Sequence, residues 1–93
     1  MILNHSSKAG SLESNDLLVL LTPLKAGNGI QIEINSIVKK QFGNRIMDIT
    51  REVINSMNIK DIKVIIQDRG ALDCTIKARL ETAIKRGIGE VNK

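Results

Sequence analysis

Side chains able to do chemistry are sparse in this chain of 93 residues, which holds one histidine, His5, and one cysteine, Cys74. His5 lies in a polar N-terminal segment read as mobile, and a general base has to be held within hydrogen-bond reach of its substrate proton. It reads as ordinary surface. Cys74 falls on the apolar face of its segment whether that segment is strand or helix. It is therefore expected to be a buried, inert small hydrophobe rather than a thiolate. One cysteine and one histidine give no structural zinc spacing and no internal disulfide. Glu13 and Asp16 stand three apart, but spacing alone does not make an acid–base pair, and both read as solvated. Gly27-Asn28-Gly29 lacks the third glycine and the strand-to-helix setting of a dinucleotide fingerprint, so it reads as a turn. The residues do not describe a self-sufficient enzyme. What remains is a polar stretch with serines at 6, 7, 11 and 14 around Gly10, running directly into the apolar Leu17–Leu21. By residue type alone, Ser14 reads as a turn or capping serine.

The elements that must position these residues follow from hydrophobic period. Leu17–Leu21 is a short apolar run closed by Pro23, which suits a buried strand. Residues 23–29 are rich in turn formers, and Ile30, Ile32 and Ile34 then alternate with Gln31 and Glu33, as in a half-buried strand. The two strands are expected to pair as an antiparallel hairpin. Ser36 is expected to cap a helix carrying Val38, Phe42, Ile46, Ile49, Val53 and Met57 on one face, with Gly43 interrupting the stripe and Asn58 marking its end. Ile62, Val64 and Ile66 give a third strand, closed by Asp68-Arg69-Gly70. The last segment fits either period. Its Ala, Leu, Glu, Lys and Arg content between Lys77 and Arg86 favours a C-terminal helix. The order β-β-α-β-α predicts an α+β fold, a small antiparallel sheet of about three strands with two helices packed on one face, and not a four-helix bundle. Residues 1–11 are expected to form a flexible lead-in, 12–88 a single domain, and 89–93 a tail.

Composition narrows the class further. An apolar fraction of 42% with 26% charged residues belongs to a globular chain rather than a disordered one. With Phe42 as its one aromatic residue, the chain offers little to a surface built on base stacking or aromatic anchors. The net charge of +4 keeps a small basic nucleic-acid-binding module open as an alternative. However, the cations are scattered among acidic residues and form no run of five, which reads as a solvated mixed surface. No segment has the length of a signal peptide's apolar run or of a membrane span, so a cytoplasmic location is expected.

Three blocks, in order, carry a more specific signal: AGSLESNDLLV at 9–19, IEINSIVKKQFG at 32–43 and DRGALDCTIKARLETAI at 68–84. Together they resemble the acyl carrier protein of citrate lyase, its gamma subunit, over residues 8–86. In that family a serine in a Gly-Thr-Leu-Glu-Ser-Ser-Asp-like segment carries phosphoribosyl-dephospho-coenzyme A through a phosphodiester. The matching position here is Ser14. Ser11 stands where the family often has threonine, and Asn15 stands where a second serine is common, which removes the nearest competing acceptor. The resemblance implies a non-catalytic subunit bearing acetyl and citryl thioesters on its arm while citrate is split to acetate and oxaloacetate. The implied partners are the alpha (acyl transferase) and beta (acyl lyase) subunits and a prosthetic-group transferase, with no nucleic acid and no membrane. The related carrier of malonate decarboxylase is the nearest alternative. Some cations are expected to screen the anionic arm or steer docking, and neutralising Lys77, Arg79 and Arg86 tests this for those positions.

Overall fold

The computed structural model describes residues 3–37 and 39–89, and the side chains of 39–43 are outside that description. Four strands and two helices follow one another: β1 (Ser7–Gly10), β2 (Leu17–Pro23), β3 (Ile30–Ser36), α1 (Lys39–Ser56), β4 (Ile62–Asp68) and α2 (Asp73–Gly87). The strands form one sheet in the order β1-β2-β4-β3. β1 pairs antiparallel with β2, β2 antiparallel with β4, and β3 parallel with β4. Every second residue of the two central strands is buried: Leu17, Val19 and Leu21 on β2, then Ile62, Val64 and Ile66 on β4. Ile46, Ile49, Val53 and Ile54 from α1, with Ile76, Leu80, Ala83 and Ile84 from α2, join them in one core. Both helices thus cover the same face of the sheet, and the opposite face stays partly open.

The expected α+β class and the helices on one face hold, while the sheet differs in three respects. It has four strands rather than three, because Ser7–Gly10 within the expected flexible lead-in forms the edge strand β1. SKAG carries no apolar alternation, since only Ala9 points inward, and so it left no periodic signal. The sheet is mixed rather than antiparallel. The expected hairpin of β2 with β3 does not form, because β4 inserts between them. The composition explains this order. β4 has apolar Ile62, Val64, Ile65 and Ile66 on both faces, as a central strand requires, whereas β3 alternates with Gln31, Glu33 and Asn35, as an edge strand does.

α1 runs through Gly43, and its buried Ile46, Ile49 and Val53 lie on the expected stripe, with Met57 packed at its margin. Val38 and the side chain of Phe42 lie outside the described residues. Ser36, the expected cap of α1, ends β3, and its Oγ donates to Asp68 Oδ2 at 2.7 Å. Asn58, with φ +57, closes the segment after α1 as expected.

Residues 4–7 are anchored on the end of α2. Asn4 and His5 backbone N–H groups both donate to Gly87 O, Asn4 Nδ2 to Ile88 O, and Ser7 Oγ to Ala83 O. His5 Nε2 lies 3.0 Å from Arg86 O. Gly87 O is one of the carbonyls that a helix C-terminus leaves without an intrahelical partner. Leu3 is buried against the core at the same place. Of the tail expected over 89–93, residues 90–93 lie outside the described residues.

Candidate functional site

The ends of β1, β3 and β4 and the start of β2 meet at one edge of the sheet, together with the N-terminal ends of both helices. The six-residue loop 11–16 that joins β1 to β2 occupies this edge, and Ser14 stands at its tip, exposed. Its hydroxyl has no hydrogen-bond partner among the described residues.

The loop is tightly built around that free hydroxyl. Asp16 N donates to Glu13 O at 3.2 Å, closing a β-turn with Ser14 and Asn15 at its centre. Asn15 has φ +64, a conformation that turns of this kind reserve for glycine or asparagine at the third position. Asn15 N donates to Arg69 O at 2.8 Å and Arg69 N to Asp16 O at 2.9 Å, which extends the β2–β4 ladder into the loop. Ser11 N reaches Leu17 O at 3.1 Å. Gly10, at φ +96, makes the crossing possible, since a Cβ there would lie 1.9 Å from Leu17 O.

Asp16 ties the loop to α2. Arg79 Nε donates to Asp16 Oδ1 and Arg79 Nη2 to Oδ2, both at 3.0 Å, in a bidentate pair. Ser11 Oγ donates to Oδ2 and Leu17 N to Oδ1, each at 2.7 Å. The hydrogen bonds from Arg79 and then Ser11 hold the Asp16 carboxyl down to about 2. Asp16 therefore works as an ionised anchor and is not the solvated acid of the sequence reading. Glu13 is exposed, as expected.

Behind the loop, Asp68 is 1% exposed and organises the turn into α2. Its Oδ1 accepts from Ala71 N at 2.9 Å and its Oδ2 from Ser36 Oγ, joining β3, β4 and α2. An open cleft of about 590 Å³ begins there, floored by Ile46, Ala71 and Ile76 and walled by Leu72. Arg45 and Asp73 form an ion pair on its rim. Cys74 also lines it and is exposed, contrary to the expectation of burial. The inward stripe of α2 is Ile76, Leu80, Ala83 and Ile84, and a position two residues before Ile76 turns away from it. Of the three cations chosen to test arm screening, Arg79 is paired with Asp16, and Arg86 Nη1 donates to Lys8 O.

A sequence reading has no access to the Asp16–Arg79 pair, 63 residues apart, or to Asp68 as the junction of three elements. Ionic groups at such separations carry no local period. The exposure of Cys74 was legible in principle, once helix phase was fixed by Ile76 and Leu80.

A family model described as malonate decarboxylase delta subunit (MdcD), an acyl carrier protein, matches residues 4–87. The chain belongs to this acyl carrier protein family. Among its curated relatives, the citrate lyase acyl carrier protein of Halothermothrix orenii is 42% identical over the whole of both chains. That of Edwardsiella ictaluri is 41% identical over 92% of this chain and 87% of the relative. That of Klebsiella pneumoniae is 45% identical over 84% of this chain and 79% of the relative. The fold is shared with a chain in the crystal structure of a Pseudomonas malonate decarboxylase hetero-tetramer in complex with malonate. The TM-score is 0.72 with 22% identity, covering 96% of this chain and 93% of that one. It is shared more loosely with the Staphylococcus aureus RNase P protein, at TM-score 0.53 and 17% identity, covering 85% of this chain and 80% of that one. Membership in an acyl carrier family implies a covalently attached prosthetic group. No helix among the described residues is long and apolar enough to cross a membrane.

Proposed function

We propose that this chain is the cytoplasmic, non-catalytic acyl carrier subunit of a citrate lyase, with phosphoribosyl-dephospho-coenzyme A joined to Ser14 Oγ through a phosphodiester. The observation that carries the reading is the free, exposed hydroxyl of Ser14 on a turn whose flanks are fixed by Asp16, Arg79 and Arg69. Attachment asks for just this: an oxygen with no competing internal bond, reachable by a transferase, on a base that does not give way.

When bound, the arm supplies a terminal thiol that carries acetyl and citryl groups as thioesters. The chain's own work is positional. The turn Glu13–Asp16 projects Ser14 away from the sheet edge. The Asp16–Arg79 pair fixes the direction of that projection relative to α2, and Gly10 lets β1 and β2 approach closely enough to hold the loop's base. A tethered group meets successive active sites at a raised effective concentration, so the carrier needs no catalytic side chain. The alpha and beta subunits are the partners in this reading, and the chemical steps belong to them. The citrate lyase names of relatives at 41–45% identity support citrate over malonate as the substrate of the complex.

The reading is tested by reconstituting the modified protein with the alpha and beta subunits of a citrate lyase. Citrate cleavage is expected, and Ser14→Ala is expected to abolish it. Activity that survives Ser14→Ala, or a carrier that serves malonate decarboxylase subunits and not those of citrate lyase, overturns the reading.

A further inference from the structure

The geometry points to a resting site for the arm on the carrier itself: the cleft between the N-terminal ends of α1 and α2, where the thiol or acetyl end of the prosthetic group lies against Ile46, Ala71, Leu72 and Ile76. This inference rests on Ser14 being the attachment point.

Position is the first reason. Asn15, next to Ser14, places its Oδ1 3.6 Å from where a Cβ of Gly70 would lie, and Gly70 lines the cleft. The attachment loop thus abuts the Gly70 side of the cleft, within reach of an arm folding back from Ser14. A second cleft, of about 410 Å³ around Leu24, Ile59 and Lys60, lies at the opposite end of the sheet. Chemistry is the second reason. The apolar lining is Ile46, Ala71, Leu72 and Ile76; Ile46 and Ile76, 3% and 2% exposed, reach it only from the core, while Leu72 is 69% exposed, an apolar side chain left in water close to the attachment loop. At the cleft's rim the Arg45–Asp73 pair offers a donor and an acceptor to an arm rich in amide groups. The volume is ordinary for a small-molecule site. Energetics do not demand a tight fit, because a short tether gives an effective concentration on the order of millimolar. An intrinsic Kd in that range keeps the arm docked about half the time and free to leave for a partner. The consequence is protection: a thioester end lying on aliphatic side chains is screened from hydrolysis between visits to the partner subunits.

Methyl NMR of apo and modified protein, each first checked for the adduct on the Ser14 peptide, tests this without any turnover. Modification is expected to shift the methyl signals of Ile46, Ala71, Leu72 and Ile76. Leu72→Asp is expected to reduce those shifts while leaving the adduct mass intact. Cys74 gives a second readout, since an oxidant such as diamide joins two neighbouring thiols with loss of two hydrogens. The arm thiol is expected to form an internal disulfide with Cys74 about tenfold faster than with a cysteine placed in the far cleft, Lys60→Cys in a Cys74→Ser background. Shifts confined to residues 11–16, or equal disulfide rates at the two positions, overturn the resting site while leaving the attachment intact. Absence of any adduct on Ser14 overturns both.

Discussion

Replacing Asp16 by asparagine tests whether the loop that presents Ser14 is held by charge. The amide keeps the size of the carboxylate, and its nitrogen settles best where Oδ2 was, because the Ser11 hydroxyl can turn and accept from it. That leaves Arg79 Nη2 facing a donor in place of an acceptor. A carboxyl lowered from 3.8 to about 2 corresponds to a ceiling of about 2.4 kcal/mol of folding stability. The Arg79 side chain is 43% exposed against 15% for Asp16, so solvent screens the pair, and a loss of about 1–1.5 kcal/mol is the expected value. Because the folded carboxyl is depressed, this stability is fully present above the unfolded value near 4 and is lost as pH falls toward 2. Urea unfolding followed by far-UV circular dichroism is the assay, as the chain has neither Trp nor Tyr for fluorescence. The gap between wild type and Asp16→Asn is expected to be full at pH 7 and to fall below half by about pH 2.5. A gap that is absent at pH 7, or that persists unchanged at pH 2.5, would refute the assignment of Asp16 as the ionised anchor.

Other substitutions probe the same edge of the sheet. Gly10→Ala forces a Cβ onto the Leu17 carbonyl at a positive φ and is expected to cost at least about 3 kcal/mol by urea unfolding. Gly27→Ala, with a similar φ and open space around it, is expected to cost about 1 kcal/mol in the same assay. Asp68→Ala removes the buried acceptor of Ala71 N and of Ser36 Oγ and is expected to lower stability by about 2–3 kcal/mol, read from the urea midpoint. Cys74→Ser is expected to change stability by less than about 0.5 kcal/mol, and native Cys74 to react with a maleimide without denaturant, since its side chain is exposed.

The elements with a strong period were legible from sequence. Ile30, Ile32 and Ile34, then Ile62, Val64 and Ile66, and the stripe Ile46–Ile49–Val53 each lie in the expected kind of element. Pairing was not, because adjacency in sequence favours a β2–β3 hairpin and nothing local says that β4 will enter between them. The edge character of β3 was visible in its Gln31, Glu33 and Asn35, and the central character of β4 in Ile65, which gives it a second apolar face. β1 left no trace, since a four-residue strand with one inward side chain has no measurable alternation. For the site, residue types placed Ser14 no further than a turn, which is where the structure has it, and resemblance rather than periodicity supplied the attachment role. The loop's anchors come from Arg69 and Arg79, far along the chain, and are products of the fold.

The central claim is that Ser14 bears the prosthetic group, and peptide mass spectrometry on protein isolated from cells that contain the modifying enzymes tests it most directly. The account predicts the mass of phosphoribosyl-dephospho-coenzyme A on the peptide spanning residues 9–25, localised to Ser14 by fragmentation and absent in Ser14→Ala. The same adduct on Ser11 or any other residue, or an unmodified Ser14 in a complex that is turning over citrate, would contradict it.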